Sequence, residues 1–379
     1  VQLIERWGYP AEEYSVTTED GYILRIQRIP HGRLEQKKSE EPRPVVFLQH
    51  GLLCSSTNWI TNIPEQAAGF VFADAGFDVW LGNFRGNTYG RQHINLTTKD
   101  SEFWEFSWDE MAKFDLPAMF DFVLNKTNQK QLYYVGHSAG IMTALAKFTE
   151  DCKFSKKIKK MFALAPVATV SHIKGALAIL GDMTEQVEFL LNALGIDEFL
   201  PKSWLTKLLA KTVCGWTSTN PLCENTFFII VGPNSNQLNK TRIPVFLSHT
   251  PAGTSTQNFL HFGQQTQSGA FQAFNYGSKE SNYVKYGQEY PPIYDISKSL
   301  VPPTAVFWGE NDWLANPIDI QRTILPIHNI TDKCKLKGYN HVDFIWGMNA
   351  STDIYMKIID NIKNGIPIEG CINHNKSES

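Results

Sequence analysis

The segment that most constrains this chain is the pentapeptide Gly136-His137-Ser138-Ala139-Gly140. It directly follows the apolar residues 132–135 and directly precedes residues 141–146, a stretch typical of a helix. A serine at a tight turn from strand to helix needs small residues two positions before and after it, so that the two elements can approach. The pattern therefore predicts a nucleophile elbow with Ser138 at its tip and free helix N–H groups directed toward it. The alternative is a glycine-rich turn with an incidental serine.

Short apolar runs alternate with segments of helical length along most of the chain. The runs predicted as strands are residues 22–29, 44–49, 77–81, 132–135, 161–164 and 304–307, and the predicted helices include residues 110–124 and 140–150. Short, continuously apolar strands separated by helices predict a parallel sheet covered on both faces. The predicted fold class is α/β with a mostly parallel central sheet.

The alternation stops between residues 171 and 296, where helical patterns such as residues 185–194 are joined by connections rich in Gly, Asn, Gln and Ser. An insertion at this point would lie over the carboxyl ends of the strands, where sites form in such sheets. We therefore predict a first core part of residues 1–170, a mainly helical cap of residues 171–296 and a second core part of residues 297–379.

The residues needed to activate a serine follow Ser138 in the expected order. A serine hydroxyl needs a histidine to take its proton and an acid to hold that histidine, in the chain order Ser, acid, His for this kind of sheet. Asp312 follows the strand predicted at residues 304–307, and His341 begins a later turn. Two other acids compete with Asp312. Glu310 is expected to cap the turn, and Asp343 lies too near His341 to reach back across its own backbone.

An ester-cleaving serine also needs two backbone donors for a negatively charged oxygen. Leu52 follows the early strand at residues 44–49, and Ala139 follows the nucleophile. We expect their N–H groups to form an oxyanion hole. An ordinary strand-ending turn at His50-Gly51 is the alternative.

Charge and composition exclude several classes of function. The formal net charge is −3, and no broad basic stripe is present, so we expect no nucleic-acid partner. No apolar run approaches the roughly 18 residues of a membrane span, and the six cysteines lack C-x-x-C spacing, which argues against a zinc site. Neither a metal nor a cofactor is predicted.

Glycosylation sequons favour a protein of the secretory pathway. They are more frequent than chance predicts, and the chain begins without Met, which suggests a processed product. The candidate acceptors are Asn95, Asn125, Asn239, Asn329, Asn349 and Asn375.

Several long motifs together resemble the acid lipase family of gastric and lysosomal acid lipases. They are residues 7–10, 18–22, 44–59, 73–83, 85–87, 109–113, 248–255 and 341–347, and the match spans nearly the whole chain. The resemblance implies a secreted or lysosomal serine esterase with an α/β-hydrolase core, a helical cap and a movable lid at about residues 201–231. It also implies neutral lipid esters as substrates, transient contact with a lipid–water interface and no cofactor.

The same resemblance assigns roles to individual residues. Ser138, Asp312 and His341 fall on the family's catalytic triad, and Leu52 and Ala139 fall on its oxyanion donors. The family's disulfide falls on Cys214 and Cys223 within the lid. In one departure, the chain has Ala139 where the family usually has Gln, so the amide N–H remains while any contact of a Gln side chain is lost.

The sequence leaves open both the substrate and the role of the apolar residues in the lid. The leading function is hydrolysis of a triacylglycerol or steryl ester, and the alternatives are a non-catalytic lipid carrier or an esterase for small, wax or retinyl esters. The apolar lid residues around Trp204, Leu205, Leu208 and Leu209 either face lipid or form the buried side of a helix.

Overall fold

The chain is described by a computed structural model over residues 1–34, 42–200, 232–233, 235–369 and 371. Its strands, in chain order, are β1 (Glu12–Thr17), β2 (Tyr22–Ile29), β3 (Val45–Gln49), β4 (Asp78–Leu81), β5 (Gln92–His93), β6 (Leu132–His137), β7 (Ile158–Leu164), β8 (Glu198–Phe199), β9 (Thr254–Ser255), β10 (Thr304–Gly309) and β11 (Ile330–Leu336).

Nine of these strands form one central sheet, in the order β1-β2-β4-β3-β6-β7-β10-β11 with β5 paired to β2. From β4 to β11 all neighbouring strands are parallel, whereas β1, β2 and β5 add antiparallel pairs at one side. The central strands β3 and β6 are buried along their whole length, as expected for a sheet covered on both faces. The prediction of a mostly parallel α/β sheet is confirmed.

The helices are α1 (Gln2–Arg6), α2 (Ala68–Asp74), α3 (Trp108–Glu110), α4 (Leu116–Thr127), α5 (Ala139–Glu150), α6 (Ala176–Asp182), α7 (Thr184–Ala193), α8 (Ile243–His249), α9 (Thr256–Ser268), α10 (Lys279–Tyr286), α11 (Pro317–Asp319), α12 (Asp343–Trp346) and α13 (Met356–Asn364). The helix predicted at residues 110–124 is divided between α3 and α4, because a π-helical turn at Met111–Asp115 separates them.

Helices α6 to α10 and the short β8–β9 pair lie in the chain between β7 and β10. None of the described residues in this stretch joins the central sheet. The division into a core and a cap stays a prediction. The proposed lid at residues 201–231, with Trp204, Leu205, Leu208 and Leu209, lies outside the described residues, as do Cys214 and Cys223.

The sheet order brings the ends of distant strands to one edge. Gln49 at the end of β3 pairs with Gly136 of β6, His137 pairs with Leu164 of β7, and Gly309 of β10 pairs with Leu336 of β11. Because parallel strands present their carboxyl ends at the same edge, the segments that follow β3, β6, β10 and β11 meet there.

A disulfide joins the last described residue to the sheet. Cys334 is buried in β11 and is bonded to Cys371, across a sequence separation of 37 residues. The sequence analysis did not predict this pair, because the spacing of cysteines does not reveal their connectivity.

Replacing Cys371 by serine is expected to lower the free energy of unfolding by about 4 kcal/mol under oxidising conditions, because the bridge restricts the unfolded chain. Urea denaturation measures the difference. The matched control is Cys152→Ser, which removes an exposed free thiol and should leave the stability unchanged. Equal stability of the wild type and Cys371→Ser would contradict the prediction, and reductant should bring the wild type down to the variant.

Candidate active site

Ser138 lies at the turn between β6 and α5, where the sequence predicted a nucleophile elbow. Its backbone has φ 55° and ψ −123°, a strained conformation for a residue with a side chain that is typical of functional sites. A Cβ on Gly140 would lie 2.9 Å from the carbonyl oxygens of both Gln49 and His50. Glycine at 140 therefore lets the start of α5 pack directly on the end of β3.

The side chains of Ser138, His341 and Asp312 form one hydrogen-bonded chain. His341 Nε2 lies 2.8 Å from Ser138 Oγ, and His341 Nδ1 lies 2.9 Å from Asp312 Oδ2 and 3.1 Å from Oδ1. All three residues are buried. In this arrangement the imidazole N–H at Nδ1 donates to the carboxylate and the Ser138 hydroxyl donates to Nε2, so His341 is ready to take the serine proton.

Backbone contacts position the acid and the base. Asp312 follows β10, and its Oδ1 accepts hydrogen bonds from the N–H groups of Leu314 at 2.9 Å and Ala315 at 2.8 Å. His341 follows β11, and the turn before it is joined to the Asp312 turn by the Asn311 N–H, which donates to the Tyr339 carbonyl at 3.0 Å. Two backbone N–H groups thus fix Oδ1 of Asp312, and Oδ2 is the oxygen nearer to the imidazole.

The two competing acids do not contact the candidate base. Glu310 is exposed and pairs with Lys335 of β11 at 3.2 Å, so the expectation that it caps the turn was wrong: its side chain crosses to the neighbouring strand. Asp343 accepts hydrogen bonds from the Asn340 N–H at 2.7 Å and the Ser235 hydroxyl at 2.8 Å. Asp312 is the acid that contacts His341.

The segments that carry the Leu52 and Ala139 N–H groups both adjoin Ser138. Ala139 is the first residue of α5, whose opening N–H groups have no partner within the helix. A Cβ on Gly51 would lie 2.8 Å from Ser138 Cβ and 3.3 Å from its Oγ, so only glycine at 51 lets the Leu52 segment approach the serine. Among the described residues, neither N–H donates a hydrogen bond, which leaves both available to an oxygen of the substrate.

His50 holds the segment that carries Leu52. Its Nδ1 lies 2.8 Å from the Gly51 carbonyl oxygen, while its Nε2 accepts from the Phe84 N–H at 3.2 Å and the Asn87 side-chain amide at 3.1 Å. Because a carbonyl only accepts, Nδ1 carries the proton. Burial lowers the pKa of His50 to about 4, so the ring keeps this neutral form over most of the acid range.

A small, partly open pocket lies beside Leu52 and Ala139. Its walls combine large apolar side chains with polar ones, among them Trp108, Met111, Phe262, Arg85, Asn87 and Asn258. The apolar part of this lining suits the hydrocarbon part of a ligand.

The protonation state of Asp343, close to the candidate base, makes the free energy of unfolding depend on pH. Burial raises the pKa of its carboxyl to about 7, whereas an aspartate in an unfolded chain titrates near 4. Between these values the folded chain holds one more proton than the unfolded chain. This contribution to stability is therefore complete below about pH 4 and is lost as the pH rises through about 7.

An Asp343→Asn variant mimics the protonated carboxyl. We expect it to match the wild type near pH 4 and to have a higher free energy of unfolding above about pH 7, where the wild type holds a buried charge. Denaturation series at several pH values measure the two profiles. The control Asp182→Asn changes an exposed carboxylate and should leave the profile as it is. Parallel profiles for Asp343→Asn and the wild type would contradict the expectation.

The remaining predicted residues are distributed over the surface. Asn95, Asn125, Asn329 and Asn349 are exposed and Asn239 is half-buried, while Asn375 lies outside the described residues. Within the described ranges no cluster of His, Cys, Asp or Glu side chains could hold a metal ion, and no helix there is long and apolar enough to cross a membrane.

The sequence analysis missed two histidines that contact the site. His50 binds the Gly51 carbonyl, as described above, and the His137 ring lies against His341 with ring centroids 4.7 Å apart. Their positions next to Gly51 and Ser138 were the available signal. No periodicity or motif indicates which backbone group a buried imidazole will bind.

Comparison with known proteins identifies the family of this chain. The profile described as "alpha/beta hydrolase fold" matches residues 44–347, and the one described as "Partial alpha/beta-hydrolase lipase region" matches residues 1–63. The crystal structure of the carboxylesterase CesB of Bacillus subtilis has a TM-score of 0.51 at 12% identity and covers 96% of each chain, which supports the fold alone.

Curated relatives are much closer in sequence. Lipase lipl-3 of Caenorhabditis elegans is 50% identical over 365 residues, covering 95% of this chain and 90% of the relative. The lysosomal acid lipase/cholesteryl ester hydrolase of Homo sapiens is 47% identical, covering 95% and 89%. The gastric triacylglycerol lipase of Homo sapiens is 46% identical, covering 95% and 90%. The chain belongs to the acid lipase family, which has the α/β-hydrolase fold.

Proposed function

We propose that this chain is a serine esterase that hydrolyses neutral lipid esters, either triacylglycerols or steryl esters, to free fatty acid. The observation that carries the proposal is the buried chain of hydrogen bonds from Ser138 through His341 to Asp312. It lies beside two free backbone donors, which is the combination that acyl transfer requires.

In the first half of the reaction, Ser138 Oγ attacks the ester carbonyl carbon and His341 Nε2 takes the hydroxyl proton. The carbonyl oxygen becomes negatively charged and accepts hydrogen bonds from the N–H groups of Leu52 and Ala139. When the bond from the carbonyl carbon to the alcohol oxygen breaks, His341 returns its proton to that oxygen. The alcohol leaves, and the acyl group stays bonded to Ser138.

In the second half, water attacks the acyl-enzyme. His341 takes a proton from the water, and the same backbone donors hold the oxyanion. The bond between the carbonyl carbon and Ser138 Oγ then breaks, the proton returns to Ser138, and the fatty acid leaves. Asp312 keeps the proton of His341 on Nδ1 throughout, so no cofactor is needed.

Three observations support a lipid substrate. Large apolar side chains form part of the pocket beside Leu52 and Ala139, and the relatives' names specify triacylglycerol and cholesteryl ester as substrates. On α6 and α7, large apolar side chains are exposed, with Phe189 at 77% and Ile179 at 63%. Exposed apolar surface of this kind suits transient binding to a lipid–water interface.

The proposed compartment is the lysosome or the outside of the cell. The described disulfide between Cys334 and Cys371 is of a type that persists in oxidising compartments. Exposed sequon asparagines at Asn95, Asn125 and Asn349 are accessible to glycosylation, and the names of the relatives include a lysosomal enzyme and a gastric enzyme.

A substrate panel tests the proposal. Purified protein is incubated with emulsified long-chain triacylglycerol, with cholesteryl oleate in mixed micelles, and with a monomeric short-chain ester, from acid to neutral pH. We expect fatty-acid release from the long-chain esters and a rise in rate when substrate passes from monomer to emulsion.

The alternatives give different results in the same panel. Activity on small, wax or retinyl esters alone would change the proposed substrate class and leave the proposed mechanism in place. Bound lipid without fatty-acid release, together with no labelling of Ser138 by a fluorophosphonate, would favour a lipid carrier and overturn the proposal.

A further inference from the structure

His137, the residue before Ser138, binds the backbone of the candidate base. Its Nε2 lies 2.9 Å from the carbonyl oxygen of His341, and the two rings are inclined at 46° with centroids 4.7 Å apart. His137 is 2% exposed. The contact joins residues 204 positions apart in the sequence.

The partner determines where the proton of His137 lies. A carbonyl oxygen only accepts, so Nε2 of His137 must be the donor. Burial and the neighbouring His341 lower the pKa of His137 well below its ordinary value, and His50 adds to this effect. The ring is therefore neutral, with its proton on Nε2 and none on Nδ1.

Two adjacent residues of the elbow consequently hold His341 at both ends. Ser138 Oγ lies 2.8 Å from the Nε2 tip of the His341 ring, and His137 binds the carbonyl at its base. The contacts form a closed ring that runs from Ser138 through its own backbone to His137, on to His341 and back. The His341 loop cannot shift without breaking one of these two bonds.

The environment of the other ring nitrogen of His137 indicates that packing alone does not explain a histidine at this position. Nδ1 is buried and has no hydrogen-bond partner among the described residues. Leaving a buried polar atom unpaired costs roughly 1–3 kcal/mol, which an apolar side chain of similar size would avoid. A histidine at this position therefore lowers the stability of the fold, and its ring makes a hydrogen bond to the His341 carbonyl.

We propose that His137 is a positioning residue for catalysis, which holds the base at hydrogen-bonding distance from the nucleophile by donating from Nε2 to the His341 carbonyl. The inference rests on the proposed esterase function and extends it. His137 does not touch substrate. It acts through His341, where a displacement of about 1 Å can lower the rate on the order of 100-fold.

Three substitutions separate the donor from the rest of the ring. In glutamine the amide nitrogen is as many bonds from Cα as Nε2 is in histidine, so His137→Gln keeps a donor at that point. His137→Met has similar length without a donor, and the amide nitrogen of His137→Asn is one bond nearer to Cα. We expect His137→Gln to stay close to the wild type. The Met and Asn variants should lose kcat on the order of 100-fold with little change in KM.

The readouts are kcat and KM on a soluble short-chain ester and the rate of labelling by a fluorophosphonate. The labelling rate should fall in parallel with kcat, because it reports the reactivity of Ser138 without turnover. Thermal unfolding is measured on the same samples. If His137→Met does not fold, His137→Asn carries the same comparison.

His261 provides a matched control. It is also fully buried, and its Nε2 lies 2.9 Å from the backbone carbonyl oxygen of Gln272, but its contacts are with Ser107 and Trp108 rather than with the triad. His261→Met should lower the unfolding temperature and leave kcat unchanged. Equal losses of kcat in His137→Met and His261→Met would show that the loss comes from lower stability of the fold, and would overturn the inference.

Wild-type protein labelled with ¹⁵N in histidine gives a test without mutation. The His137 signals should show a protonated Nε2 and an unprotonated Nδ1 from neutral to acid pH, whether or not the protein is an esterase. The other tautomer, or full activity in His137→Met, overturns the inference. A wild type that hydrolyses no ester at all instead rejects the proposed function.

Discussion

Replacing Ser138 by alanine is expected to lower kcat for ester hydrolysis by roughly 10⁶-fold, because the nucleophile and the acyl-enzyme are both lost. The Cβ that packs at the turn remains, so the fold should be unchanged. Continuous titration of released fatty acid measures the loss. Labelling by a fluorophosphonate should disappear in the same variant.

Ser155→Ala is the matched control for this substitution. Ser155 is 3% exposed and its hydroxyl donates to the Cys152 carbonyl at 2.9 Å, away from His341. The control should keep full activity and full labelling. Esterase activity that survives in Ser138→Ala would remove Ser138 from its proposed role.

Replacing Asp312 by asparagine should lower kcat by about 10⁴-fold with little change in KM. The Leu314 and Ala315 N–H groups, which donate to Oδ1, would hold the amide oxygen of the new side chain in that place. The amide NH₂ would then face His341 Nδ1, and two donors cannot pair. His341 would move its proton to Nε2 and could no longer take one from Ser138.

A second aspartate–histidine pair, in which the aspartate is buried and the histidine is half-buried, serves as the control. Asp319 is 4% exposed, and its Oδ1 lies 2.6 Å from Nδ1 of His172. Asp319→Asn should leave kcat near the wild-type value, and so should Glu310→Gln. A larger loss in Glu310→Gln than in Asp312→Asn would show that the wrong acid was assigned.

Local pattern and chain order were sufficient for the central part of this site. Strand β2 has the predicted bounds, and the predicted strands at 44–49, 132–135 and 304–307 differ from β3, β6 and β10 by few residues. These strands are continuously apolar because they are buried, so their composition alone reveals them. The order Ser, acid, His then selects three side chains that the structure joins by hydrogen bonds.

The strands at the edges of the sheet, and the contacts between residues that are distant in the sequence, could not be predicted in this way. Strands β1 and β11 lie at the edges and alternate between exposed positions and half-buried or buried ones. Strand order is equally hidden, since β4 lies between β2 and β3. The bond from His137 to His341 and the bridge from Cys334 to Cys371 depend on that order, which local composition does not contain.

The position of β10 in the sheet has a consequence for biosynthesis. Strand β7 pairs with β6 on one side and β10 on the other, yet residues 165–303 are translated between β7 and β10. At the usual speed of ribosomes this takes roughly ten to thirty seconds, during which a nascent chain presents an unpaired strand edge to its surroundings. Asp312 and His341 emerge still later, so a polypeptide released early, without its last quarter, would carry Ser138 and remain harmless to the lipids of the cell that makes it.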